Sequence, residues 1–189
     1  MRTERYTFHP PYKLHLGCGK VRFDGWVNID ADATLDTVDL RWDLDRSIPV
    51  GDATCRLIFS EHMLEHLPPD RGVAFLRECR RVLVPGGIVR IAMPSLENIL
   101  HKAVSEDWRD QDWLRWPEYQ FIETRAEMIN IAFRWWGHQW LYDRQELHRR
   151  LREAGFEEIH DVERGQSAHG ELRERETRLD SLLCAEAVR

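Results

Sequence analysis

Two glycines one residue apart, closing the run Leu14-His15-Leu16-Gly17-Cys18-Gly19, constrain this chain more than any other stretch. Leu14 and Leu16 alternate with Lys13 and His15, the period of a strand, and the glycines break that strand into a tight bend. Glycine has no Cβ, so the backbone can take a positive φ and come close to a ligand. Eleven residues beyond Gly19, Asp30 ends a second apolar run, Trp26-Val27-Asn28-Ile29. A bare bend after one strand and a carboxylate at the tip of the next suit a nucleoside, whose ribose hydroxyls the carboxylate can bind. Without a ligand the same glycines are only a tight turn.

The alternation continues along the chain. Strands are expected at about 13–17 and 26–30, joined by residues 20–25. Parallel neighbours normally need a crossover of about a dozen residues or more. So the link is one helical turn, or the strands are not standard neighbours; a parallel pair is the reading taken. A weaker third strand is expected over 35–42, with Val38 and Leu40 among charges and Trp42-Asp43-Leu44-Asp45 at its end. Arg56-Leu57-Ile58-Phe59-Ser60 reads as a fourth strand. Pro68-Pro69 opens a helix with Val73, Leu76, Cys79 and Leu83 at helical spacing, stopped at Pro85-Gly86-Gly87. A fifth strand covers 88–93. Asp143-Arg144-Gln145-Glu146 resembles a capping box; its helix carries Leu147 and Leu151 and ends at Gly155. Strands at 156–162 and 181–188 complete seven. Such alternation predicts a parallel sheet with helices on its faces, and ligands bind at the carboxyl ends of its strands. Gly17 to Gly19, Asp30, Asp43 and the segment Ser60-Glu61-His62 would meet on that one edge.

Composition narrows the classes. With 189 residues and 42% hydrophobic content the chain can bury the core of a single domain, 1–189. No apolar run approaches the ~20 residues of a membrane helix, and residues 1–11 lack the apolar core of a signal peptide. Four cysteines without close pairs read as free thiols in a reducing compartment, hence a cytoplasmic location. A formal charge of −6 argues against nucleic acid as the main partner. Six of the eight tryptophans fall between Trp108 and Trp140, so 95–140 reads as a helical insertion over the ligand edge. Ser95 caps a helix to about 105, and a second helix is expected over 118–134. Most of these tryptophans need only pack the block onto the sheet, but Trp135, Trp136, His138 and Trp140 are placed near a ligand. The charged run 163–180 reads as a solvated loop whose arginines, Arg173, Arg175 and Arg178, allow an anionic acceptor.

Four segments together resemble the class I S-adenosylmethionine-dependent methyltransferases, in the small branch described only as predicted methyltransferases. They are Leu14-His15-Leu16-Gly17-Cys18-Gly19, Gly25-Trp26-Val27-Asn28-Ile29-Asp30, Ser60-Glu61-His62-Met63-Leu64-Glu65-His66-Leu67 and Leu83-Val84-Pro85-Gly86-Gly87. The resemblance covers about 13–100, and Gly137-His138-Gln139-Trp140-Leu141-Tyr142-Asp143 and Glu153-Ala154-Gly155-Phe156 extend it. It implies a Rossmann-like three-layer α/β sandwich, whose seven-stranded sheet is mostly parallel with the last strand antiparallel. It also implies S-adenosyl-L-methionine as cofactor and S-adenosyl-L-homocysteine as product. The bend Gly17, Cys18 and Gly19 would hold the methionine part, and Asp30, with Ala31 beside it, the ribose. Asp43 and Leu44 would flank the adenine, and Ser60, Glu61 and His62 the methionine side. The family's third glycine is absent, with Val21 in its place, and the first helix is shortened to a turn. Arg22 or the N-terminal lead-in would then hold the amino-acid end.

Methyl transfer from a sulfonium is an in-line displacement, in which the protein chiefly positions a nucleophile and excludes water. Aromatic walls suit the sulfonium through cation–π attraction. The residues able to accept a proton or orient an acceptor are His138, Tyr142 and His62. The sequence does not name the acceptor; the insertion's aromatics suggest a pocket for a small molecule such as a sugar, a natural product or a peptide side chain, with oxygen or nitrogen as the expected nucleophile. The oligomeric state is open, a homodimer included. No resident metal is expected, although His62-Met63-Leu64-Glu65-His66 fits the H-x-x-E-H pattern of a zinc hydrolase. Against that reading, Pro68-Pro69 cuts the helix short. A nicotinamide dehydrogenase would need G-x-G-x-x-G, and Arg22 occupies the third position. A non-catalytic cofactor-binding or interaction module is the remaining alternative.

Overall fold

A computed structural model describes residues 9–32 and 34–189, and the lead-in assigned to the cofactor's amino-acid end lies largely outside them. The strands are β1 Tyr12–Leu16, β2 Val27–Asp30, β3 Leu40–Arg41, β4 Cys55–Glu61, β5 Leu83–Met93, β6 Glu158–Asp161 and β7 Leu183–Val188. They form one sheet in the order β3-β2-β1-β4-β5-β7-β6. The first five are parallel, and β7 is antiparallel to both neighbours. Leu14 pairs with Val27 on one side and Ile58 on the other. The seven-stranded, mostly parallel Rossmann-like sheet is therefore as expected.

Helices α1 Pro69–Val82 and α4 Arg144–Glu153 cover one face of the sheet. Phe75, Leu76, Cys79, Leu147 and Leu151 pack there on Leu14, Leu16, Ile58 and Val89, all fully or almost fully buried. Fully burying one such aliphatic side chain is worth about 1.5–3 kcal/mol. The opposite face departs from expectation. Among the described residues it is covered by irregular chain, 17–26 and 163–182, with one 3₁₀ turn at Gly170–Leu172. Phe23, Trp26, Leu57, Phe59, Ile88 and Leu172 form the core under that layer.

Charge fixes this layer. Arg90, in the middle of β5, points into it with no exposure and donates to Glu176, Glu186 and the Gln166 carbonyl. Glu176 also accepts from the Gly165 N–H at 2.9 Å. The stretch 163–180 is thus more than a solvated loop: Glu176 from it, with Glu186 from β7, neutralises a buried arginine.

The first crossover contains no helix among the described residues, so its backbone groups lack intrahelical partners. Asn28, fully buried on β2, supplies them. Its Oδ1 accepts from the Phe23 N–H at 2.9 Å; its Nδ2 donates to the carbonyls of Phe23 and Trp26 and to the Asp39 carboxylate. Asp39 also accepts from the Asn28 N–H through its side chain, and β3 is reduced to two residues instead of the expected run 35–42. Arg22 pairs with Asp39 at 2.7 Å and donates to the Thr37 carbonyl, so it braces the crossover from beneath and does not face the ligand edge.

His15 belongs to the same arrangement. Its ring stacks on Phe23 at 4.1 Å and its Nδ1 lies 3.2 Å from Asn28 Oδ1. Burial is the main cause that lowers its pKa to about 4, with the Arg175 charge adding to it and the Asn28 bond opposing it. The unfolded chain takes up this proton near the ordinary value of about 6.5. Stability from the neutral ring is therefore complete above pH 6.5, falls by about 3 kcal/mol as the pH drops toward 4, and is flat below. Urea unfolding of wild type and His15→Gln at pH 7.5 and 4.5 tests this: the variant should lose that much less on acidification, and equal losses would refute it.

Elsewhere, α2 Leu96–Val104 starts at Ser95, whose side chain accepts from the Asn98 N–H. α3 runs Arg125–Arg134, starting seven residues later than the 118–134 expected. Thr124 and Glu127 form a full capping box there, and Pro117–Tyr119 makes a separate 3₁₀ turn. β5 begins at Leu83, not Ile88, because the Pro85-Gly86-Gly87 stop continues as a kinked strand with Gly86 at φ +75°. The tryptophan-rich block has its own core of Trp113, Tyr119, Ile122, Met128 and Ile131.

Candidate functional site

The carboxyl ends of β1, β2 and β4 open into a cavity of about 620 Å³. Nine of the ten residues expected to bind a cofactor line it: Gly17, Cys18, Gly19, Asp30, Ala31, Asp43, Leu44, Glu61 and His62. Ser60 does not; it is buried in β4, and its hydroxyl has no hydrogen-bond partner among the described residues. Gly17 takes φ +70°, and a Cβ there would sit 2.8 Å from Met63 Cγ, so the backbone packs too closely for any side chain. At Gly19, φ +50°, a Cβ would meet nothing within 4 Å. The absence of a side chain there keeps the cavity open.

Asp30 shapes the bend as well as facing the cavity. Its Oδ2 accepts from the Gly19 N–H at 2.8 Å and its Oδ1 from the Asp32 N–H at 2.9 Å. Each oxygen retains a lone pair, as ribose hydroxyl recognition needs. The Cys18 thiol is pushed up to about 12, by burial first and the Asp30 charge second, so it is neutral. Leu35 and Trp42 add apolar surface beside Leu44. Glu61 lines the cavity, but its carboxylate is engaged within the protein. Its carboxylate accepts from the Thr177 N–H and Oγ1, the Arg178 N–H and the Ser181 hydroxyl, so it anchors residues 177–181 as the cavity's far wall. Arg178 lines the cavity in this way, whereas the sequence offered it only as a contact for an anionic acceptor.

A second cavity of about 300 Å³ lies between the end of β5 and the tryptophan-rich block, lined by Ser95, Ile99, Trp113, Trp136, His138 and Asp180, among others. Trp135 and Trp140 line neither cavity: Trp135 is 63% exposed, and Trp140 donates its indole N–H to Glu146. Tyr142 is also displaced from its expected place. It is 1% exposed in the main core, against Gly72, where a Cβ would lie 3.0 Å from its hydroxyl. Burial pushes that hydroxyl's pKa up, and it faces neither cavity.

His62 and His138 line different cavities and approach the same carboxylate oxygen, Glu65 Oε1. His62 lies in the left-handed region, φ +51°, and lines the first cavity. Its Nδ1 is 3.6 Å from Glu65 Oε1 and its Nε2 3.6 Å from Asp180 Oδ1. Burial lowers its pKa to about 3, with the Arg178 charge next. His138 lines the second cavity with Nδ1 2.8 Å from the Ala132 carbonyl and Nε2 4.0 Å from Glu65 Oε1. Glu65, 1% exposed, is raised by burial to about 8. It sits in a 3₁₀ turn, Leu64–His66, so His62 and His66 are not one turn apart on an α-helix and the hydrolase arrangement is not formed.

A family model described as a methyltransferase domain matches residues 13–161. The chain belongs to that family, and the resemblance to class I S-adenosylmethionine-dependent methyltransferases holds; it is an enzyme of the methyltransferase class. Solved structures agree in fold. An Archaeoglobus fulgidus SAM-dependent methyltransferase superposes with a TM-score of 0.57 at 14% identity, covering 94% of this chain and 86% of the other. A Mesorhizobium loti S-adenosylmethionine-dependent methyltransferase gives 0.54 at 18%, covering 94% and 90%. A Bordetella parapertussis protein gives 0.53 at 16%, covering 96% of this chain, which spans 63% of that protein's length. No curated protein matches the sequence. No helix among the described residues is long and apolar enough to cross a membrane.

Proposed function

We propose that this chain moves a methyl group from S-adenosyl-L-methionine to an oxygen or nitrogen of a small molecule by in-line displacement. The first cavity carries the reading, because bare backbone at Gly17 and Gly19, the Asp30 carboxylate and Asp43 with Leu44 meet in one space at the carboxyl ends of parallel strands. The bound cofactor supplies an electrophilic methyl group on a sulfonium. The bend and Arg178 are assigned to its amino-acid end, Asp30 to the ribose, and Leu44 with Trp42 to the base. The second cavity is assigned to the acceptor. Ile99, Trp113 and Trp136 exclude water there, and its volume of about 300 Å³ is at the lower bound for small-molecule pockets, roughly 300–1,000 Å³. Positioning of this kind is worth about 7–11 kcal/mol. His62 and His138, facing the two cavities, are assigned to orienting the acceptor; Tyr142 is not, because its hydroxyl is in the core.

Titration calorimetry with S-adenosyl-L-homocysteine tests the donor half. One site per chain is expected, and no binding overturns the reading. Asp30→Ala should weaken binding more than about tenfold, since a hydrogen bond to a charged acceptor is worth about 1.5–3 kcal/mol. Asp30→Asn, which preserves a neutral acceptor for the Gly19 N–H, should fall between the two. Unchanged affinity in both variants would place the ribose elsewhere.

A further inference from the structure

The wall between the two cavities holds a carboxylate that no described group satisfies with a hydrogen bond. Glu65 is 1% exposed and neither oxygen accepts a hydrogen bond from a described group. A buried polar atom left without a partner costs about 1–3 kcal/mol, more when charged, so such an atom needs an explanation. The side chains around it are imidazoles. His66 and His138 lie ring to ring at 5.0 Å, and one ligating atom from each of Glu65, His66 and His138 falls within 4.8 Å of the others. His62 reaches the same Glu65 oxygen to 3.6 Å.

We propose that Glu65, His66 and His138 form a binding site for a borderline divalent ion of the Zn²⁺ class, at the wall between the donor and acceptor cavities. Two imidazoles and one carboxylate are the donor set of metal centres that keep a position open, whereas Mg²⁺ and Ca²⁺ prefer oxygen alone. The outer contacts fit. The Ala132 carbonyl lies 2.8 Å from His138 Nδ1, where it accepts a hydrogen bond from the Nδ1–H tautomer and leaves the Nε2 lone pair on the side of Glu65, 4.0 Å away. Metal-bound histidines are commonly oriented in this way. The Glu65 backbone is fixed as well, since its carbonyl accepts from the N–H groups of Gln139 and Trp140. That ties the short turn carrying Glu65 and His66 to the stretch carrying His138. An ion's open position would take an oxygen of the acceptor. The site itself is independent of methyl transfer; only that use rests on the proposed function.

The test uses the full chain, stripped with a chelator and titrated with Zn²⁺, Co²⁺ and Mg²⁺. One Zn²⁺ per chain is expected, with Co²⁺ giving the intense visible absorption of a low-coordinate site and Mg²⁺ failing to compete. Glu65→Gln, His66→Asn and His138→Asn should each weaken Zn²⁺ by more than about tenfold, while His160→Asn, on the exposed strand β6, should not. Absence of stoichiometric Zn²⁺ in wild type, or equal affinity in all four variants, overturns the proposal. The wild-type Co²⁺ spectrum needs no variant to fold. S-adenosyl-L-homocysteine titrated into the stripped protein separates the two readings: if it binds and Zn²⁺ does not, the metal site alone fails. If Zn²⁺ binds and it does not, methyl transfer fails.

Discussion

Arg90→Met is expected to destabilise the protein by about 3–5 kcal/mol, the cost of breaking a buried ion pair from one side. In a domain of this size that lowers the melting temperature by roughly 6–20 °C. Arg90 has no exposure, and the side chains of Glu176 and Glu186 are 0% and 5% exposed. Methionine fills most of the volume but leaves two carboxylates facing each other away from water. The damage should extend to the site, because Glu176 adjoins Thr177 and Arg178, which Glu61 holds as the wall of the first cavity. Thermal unfolding and S-adenosyl-L-homocysteine affinity should fall together. A melting temperature within a degree or two of wild type would mean that the carboxylates shed their charge without cost.

Asn28→Leu should lose about 3–5 kcal/mol for a different reason. Leucine keeps the branching and heavy-atom count of asparagine, but its methyl groups are bulkier and carry no polar atom, so some crowding adds to the loss. It cannot accept from Phe23 N–H or donate to Phe23, Trp26 and Asp39. Each buried group left unpaired costs about 1–3 kcal/mol, and the losses are not additive within one network. Asn28→Asp separates the contributions, since it can still accept from Phe23 but sets a second carboxylate against Asp39. It should be at least as unstable as the leucine variant. Chemical denaturation of both would decide this, and an Asn28→Leu protein as stable as wild type would show that water replaces the amide.

The strand ends were legible because a period of two and a glycine bend are local signals, and Gly17, Gly19, Asp30 and Asp43 all reached the cavity from them. What escaped was non-local. Nothing in the charged run 163–180 says which of its carboxylates meets an arginine far away in the chain. A clue did exist: Arg90 stands alone in the apolar run Ile88-Val89-Arg90-Ile91, and a charge there must find buried partners. The start of α3 was also readable, since Thr124-Arg125-Ala126-Glu127 is a capping box. Tyr142 was misplaced because helical and strand patterns do not tell which face of a connecting segment turns inward. Glu65 was seen only as part of a motif, and its partner His138 lies on a segment whose approach no spacing rule encodes.

The Leu96 N–H donates to the Tyr142 carbonyl at 2.9 Å, so the chain leaves the sheet and returns to it at almost the same spot. A piece whose two ends are already side by side imposes little closure penalty on its host, whatever its length. The block between those ends carries its own core. It can therefore be exchanged like a cassette, and under the proposed function that exchange would rewrite what is methylated while the first cavity stays as it is.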